Sequence, residues 1–145
     1  LPRLIDMKVE PFLVASTVNV IIAQRLIRKN CDVCKITVDI PLNQLSQNLP
    51  PEKILKYFGN QQSIRTYKGK GCEVCHLTGY AGRIGVFEVL EVSNEIKKLI
   101  TAKKDSNIVL QQAIQEGMTT MLEDGAAKVQ QGITTISEII RAAKG

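Results

Sequence analysis

Tryptophan is absent, histidine occurs once as His76, and aromatic residues make up only 4% of the 145 residues. So few rings provide no stacking platform of the kind single-stranded nucleic acid needs, and a lone histidine has no visible base or nucleophile to pair with. No apolar run approaches the roughly 18 residues of a membrane-spanning helix. FLVA and VIIA are short, and Arg25, Arg28 and Lys29 interrupt the most apolar region. The opening LPRLIDMKVEPF lacks the cationic, apolar and small-residue zones of an export signal, which points to a reducing compartment. A chain that opens on Leu1 also reads as a segment of something longer. Also missing are GxxxxGK[ST], GxSxG and HExxH, so no complete phosphate loop, nucleophile elbow or metalloprotease pair is present.

What is there suits a folded chain. A hydrophobic content of 44% is enough for one domain with a core, or for two small lobes. The net charge of +5 is spread out, with its densest sets at Lys97, Lys98, Lys103 and Lys104 and at Arg25, Arg28 and Lys29. Charged residues mostly coat surfaces, so these read as solvated faces and nucleic acid is not an expected partner.

Hydrophobic periodicity and end signals divide the chain. Leu1 to Met7 reads as the tail of a helix, and Glu10 and Pro11 open a short one through Ala15. Val20 to Ile27, rich in β-branched and aliphatic side chains, predicts a mostly buried strand. ITVDIP predicts a short strand, LNQLSQN a helical turn, and PPEKILKYFG a helix with Pro51 at its first position, Ile54, Leu55 and Phe58 on one face and Gly59 at its end. SIRTYKGKG gives a further strand, and Ile84, Val86, Phe87, Val89 and Leu90 another. If the two long strands pair antiparallel, the span from Cys31 to about Thr78 is an insertion at a hairpin tip.

The last third predicts four helices. Ser93 caps one carrying Ile96, Leu99 and Ile100, and Asn107 caps one carrying Leu110, Ala113 and Ile114. A third spans about Thr119 to Gln131, and the fourth opens on a capping box of Thr135 and Glu138.

The chemistry lies in the cysteines. All four fall in two CxxC pairs, Cys31 with Cys34 and Cys72 with Cys75, and a two-residue gap lets both thiolates of a pair turn toward one ion. Four sulfurs fill a tetrahedral zinc and leave no position for water, so such a metal is structural and not a Lewis acid for hydrolysis. Disulfides and two redox-active CxxC pairs are the alternatives. CEVCH also satisfies the haem attachment pattern, though it leaves CDVC unexplained.

LIDMKVEPFLVAS, AQRLIRKNC, CEVCHLTGYAGRIGVFEVLEV and EDGAAKVQQGITTISEII together resemble the C-terminal part of the secretion ATPases of the type II secretion and type IV pilus assembly branch. The resemblance spans nearly the whole chain. It implies an α+β fold: residues 1–30 ending a RecA-like core with an antiparallel hairpin, residues 31–79 a tetracysteine zinc subdomain, and residues 80–145 a returning strand and C-terminal helical bundle. It further implies a cytoplasmic hexamer, peripheral at the inner membrane through platform or secretion-apparatus proteins. The parent would use ATP and magnesium to assemble pilins or pseudopilins, and Arg83 of GYAGRIG would approach nucleotide. Lys8 stands where a glycine is usual in the family, and Asp32 replaces a frequent proline. The competing expectation is a free-standing zinc module that binds protein or nucleic acid, of which a chaperone module with one half-repeat similar to CxxCxGxG is a variant.

Overall fold

The computed structural model describes residues 7–41, 51–59 and 62–144. The expected helical tail at Leu1 to Met7 and the LNQLSQN turn lie almost wholly outside them. Four strands and six α-helices follow along the described residues, and they divide into two compact units. Unit 1 comprises residues 1–23 and 87–120, and unit 2 comprises residues 24–86 and 121–145.

In unit 1, α1 (Pro11–Thr17) has proline in its first turn, where the missing N–H costs nothing. Before it, Lys8 takes φ 62, the left-handed region, although it is not a glycine. Helix α3 (Asn94–Thr101) is capped by Ser93, whose hydroxyl accepts the Ile96 amide at 3.2 Å. Helix α4 (Ser106–Gln115) is capped by Asp105, not by the expected Asn107, and Asp105 accepts the Asn107 amide at 2.7 Å. Val109 and Ala113 are buried while Leu110 and Ile114 stay exposed, so the packed face is not the Leu110, Ala113, Ile114 face expected. Val14, Ala15, Val92, Ile96, Ile100, Val109 and Ala113 form this unit's core.

Unit 2 is built around a hairpin. Strand β2 (Lys35–Pro41) pairs antiparallel with β3 (Ser63–Gly69), in register from Lys35 opposite Gly69 to Pro41 opposite Ser63. Alternation fixes that register: Ile36, Val38 and Ile40 point inward while Lys35, Thr37 and Asp39 are exposed, and a one-residue slip would reverse every side chain. Helix α2 (Pro51–Phe58) joins the two strands' sequence and buries Ile54 and Phe58, while Leu55 is exposed. Helices α5 (Met121–Gln130) and α6 (Ile136–Lys144) pack on each other, and Val129, Ile136 and Ile139 meet Ile27, Ile64 and Val86 in one core.

Strands β1 (Val20–Asn30) and β4 (Tyr80–Glu91) pair in a separate two-stranded sheet. At one end Cys31 N–H donates to Gly79 O at 2.9 Å, and at the other Val92 N–H donates to Asn19 O at 2.8 Å, so the ladder is antiparallel. The expectation of a mostly buried β1 is overturned. Val20, Ile22 and Leu26 are exposed, because a sheet of two strands gives these side chains no second layer to pack against.

Candidate metal centre

β1 and β3 both end at cysteine turns. β1 delivers Cys31, and the CDVC turn leads to Cys34 and straight into β2. β3 delivers Gly69, Lys70 and Gly71, then Cys72 and a single 3-10 turn, Glu73–Cys75. The two ends of this second cysteine loop meet at Gly69 and Gly79. A Cβ on Gly69 would lie 2.0 Å from the Gly79 carbonyl oxygen, so only glycine lets the backbones approach this closely.

Cys31 N–H donates to Gly79 O and Lys70 N–H to Cys34 O, which ties the two cysteine turns together, and all four sulfurs lie within 4.8 Å of one another. The Sγ separations are 3.8 Å for Cys31 to Cys72, 3.8 Å for Cys34 to Cys75 and 3.7 Å for Cys72 to Cys75. A tetrahedron with zinc–sulfur bonds of about 2.3 Å has edges of about 3.8 Å, so the donor set fits zinc in kind and in size. These separations far exceed a disulfide bond of about 2.0 Å, and the four cysteines are free. His76 is exposed and stands outside the cluster, with φ 50.

Backbone amides prepare the sulfurs for negative charge. Gly71 N–H donates to Cys34 Sγ at 3.3 Å, and Cys75 Sγ accepts from Cys72 N–H at 3.1 Å and Gly79 N–H at 3.3 Å. Burial works against a thiolate at Cys75, but these two amides, together with hydrogen bonds from the Cys72 and Cys34 thiols, outweigh it and bring its pKa down, whereas burial pushes the Cys34 thiol up. A cation bound to all four would hold every one of them deprotonated.

Sequence reasoning missed the polar frame behind the cluster. Glu138, 1% exposed, accepts the Arg28 backbone N–H at 2.9 Å, Arg28 Nη2 at 2.6 Å and Arg141 Nη2 at 3.0 Å. Burial raises its pKa, but the two guanidiniums and the Arg28 amide more than offset this and hold it at about 2. The expected capping box is thus only half formed. Thr135 Oγ1 accepts the Glu138 amide at 3.4 Å, while the Glu138 carboxylate is committed to the arginines. Arg28 also lies 4.2 Å from the centroid of the Tyr80 ring. Buried Asn30 donates its side-chain amide to the carbonyls of Tyr67, Gly132 and Thr134. Arg141 lies at helical spacing from Glu138, but no local pattern signals the Arg28 pairing, because Arg28 and Glu138 are 110 residues apart.

Arg83, the other expected site residue, is exposed on β4 and is not among the residues gathered at the sulfurs. Unit 1 holds a largely apolar groove of about 220 Å³, lined by Ile21, Ala23, Leu90, Val109 and Leu110 together with Glu88 and Ser106. Among the described residues, no helix is long and apolar enough to cross a membrane.

The sequence model of the family described as Type II/IV secretion system protein matches residues 1–141. The chain is 38% identical to the type IV pilus assembly ATPase PilB of Thermus thermophilus, over 95% of this chain and 15% of that protein. It is 35% identical to PilB of Pseudomonas aeruginosa, over 99% of this chain and 24% of that one. It is 32% identical to the type II secretion system ATPase E of Vibrio cholerae, over 98% of this chain and 26% of that protein. The chain therefore spans about a quarter or less of the length of these curated relatives.

Proposed function

We propose, from the premise that the chain belongs to the Type II/IV secretion system protein family, that it is the zinc-stabilised C-terminal module of a secretion or pilus-assembly motor ATPase. The observation that carries the zinc assignment is the convergence of Cys31, Cys34, Cys72 and Cys75, with sulfur spacings that suit a tetrahedral ion. On this reading residues 31–79 form the metal-bearing subdomain, set between the end of a RecA-like core at residues 1–30 and a returning strand with helices at residues 80–145.

Closed tetrathiolate coordination supplies shape and no chemistry, because it offers no open position to substrate or water. This chain's own residues then do structural work. The knuckles stay folded around the ion, and the rigid lobe transmits movement between subunits of a hexamer and inner-membrane partner proteins. ATP and magnesium bind in the part of the parent that this chain does not span, and no GxxxxGK[ST] occurs here. Arg83 reaches toward nucleotide from β4, where an exposed guanidinium suits a phosphate.

Two measurements test the reading. Elemental analysis of reduced protein gives one zinc per chain, and its absence would remove the metal assignment. In the longer parent protein, ATP is hydrolysed and Arg83→Ala raises KM for ATP, whereas this 145-residue segment alone is inactive. Turnover by the isolated segment would contradict the assignment of catalysis to residues outside it.

A further inference from the structure

We propose that Glu138 is a positioning residue for the tetracysteine site, so that metal retention and the seating of helix α6 stabilise each other. The inference rests on the reading of the four cysteines as a zinc site. It goes beyond that reading by assigning a role to a buried carboxylate far from the sulfurs in sequence.

Two routes connect α6 to the ligands. The first runs through the last three residues of β1. Arg28 is held at its N–H by Glu138 Oε2 at 2.9 Å and at its carbonyl by Thr134 Oγ1 at 2.8 Å. Asn30 N–H donates to Ile133 O at 2.8 Å, and its side-chain amide donates to Gly132 O and Thr134 O at 3.1 and 3.2 Å. Residues 28–30 are thus bonded along their length to residues 132–138, and the next residue is Cys31.

The second route runs through Tyr80. Its hydroxyl is 3.0 Å from Thr135 Oγ1, and its ring supports the Arg28 guanidinium that Glu138 holds. Gly79, immediately before it, donates to Cys75 Sγ and accepts from Cys31 N–H. One carboxylate therefore organises the chain on both sides of the site, reaching a ligand from each CxxC pair. A surface ion pair would not need a backbone amide as a third partner, nor would it be 1% exposed. Removing the charge, as in Glu138→Gln, leaves one neutral acceptor oxygen for two guanidiniums and that amide and sets an NH2 donor against them. The strap into Cys31 then loosens, and by linkage loss of the metal loosens α6 by the same free energy.

The test uses the zinc-loaded protein. Zinc transfer to a chromogenic chelator is timed for the unaltered protein, Glu138→Gln, Glu138→Asp and, in unit 1, Ile100→Ala. Amide exchange in α6 and α3 is followed before and after chelation. Glu138→Gln is expected to release zinc roughly tenfold faster, the lower end of what loss of a group supporting a metal ligand does, with Glu138→Asp in between. Ile100→Ala should leave release unchanged. Chelation should raise exchange in α6 but not in α3. If Glu138→Gln fails to fold, Arg28→Lys, which keeps the charge and loses the fork, should still speed release. Release at the unaltered rate from a zinc-loaded Glu138→Gln protein overturns the coupling alone, as does equal acceleration by Ile100→Ala. Absence of zinc from the unaltered protein overturns the metal reading and the coupling with it.

Discussion

Units 1 and 2 are stabilised by different physics. Unit 1 is closed by aliphatic packing and helix caps: Val14, Ile96, Ile100 and Val109 are buried, and Ser93 and Asp105 cap its two longer helices. Unit 2 has a comparable apolar core in Ile27, Phe58, Val86, Val129 and Ile139. It also holds the buried polar residues Asn30, Thr66, Thr134 and Glu138 and all four cysteines. In unit 2 these polar groups and thiols add staples beyond hydrophobic area to the apolar core. Each added polar staple must then be fully partnered, because unpaired groups inside a protein are costly. Asn30 illustrates the difficulty. Its amide serves three carbonyls while its buried Oδ1 has no partner among the described residues.

The contrast can be broken most directly at the metal. Chelation is expected to abolish amide protection across residues 31–36 and 69–79, since a structural zinc contributes on the order of 10 kcal/mol to the folding of its own site. Protection in α3 and α4 should be retained. Equal loss in both units by hydrogen exchange would show that they do not differ in this way.

Next in size are the two cores. Ile27→Ala in unit 2 and Ile96→Ala in unit 1 each remove a fully buried side chain and should cost about 2–5 kcal/mol in denaturant unfolding. If apolar packing matters less where polar staples share the load, the Ile27 loss will be the smaller.

Glu138→Gln should cost less, about 2 kcal/mol. Breaking a buried pair is expensive, but both arginine partners are about half exposed and screened by water. This effect carries a pH signature. The native carboxyl is held at about 2, below its ordinary 4.5. Its contribution is therefore full above about pH 4.5 and disappears as pH falls through about 2. The stability gap between the unaltered protein and Glu138→Gln should close over that window. A gap independent of pH would mean that the carboxylate's charge is not what stabilises.

The smallest expected effect sharpens the picture of unit 1. Ser93→Ala removes the hydroxyl that accepts the Ile96 amide and should cost about 1 kcal/mol. It should not alter zinc release.

Much of this was legible along the chain. Pro11, Pro51, Ser93 and Gly59 act through neighbours one to three residues away, so the ends of α1, α2 and α3 could be read directly. Strands β2 and β3 followed from alternation, and the meeting of the two CxxC pairs followed from spacing, because few environments favour four thiols in that order. The Asn107 cap was misplaced because Asp105 offers the same chemistry two residues earlier, and only the helix's packed face decides between them.

Sequence alone therefore determined most of the described elements, the cysteine quartet and the family. Three things were left to tertiary structure: that β1 lies largely exposed, that Gly69 and Gly79 must touch, and that Glu138 turns away from its own helix end to hold Arg28. The first and the last depend on segments far apart in the chain arriving at one place, and the second on how the second cysteine loop closes. Local energies of a kcal/mol or so set caps and periods, whereas the choice of partner for a buried charge is made by whatever the fold brings beside it.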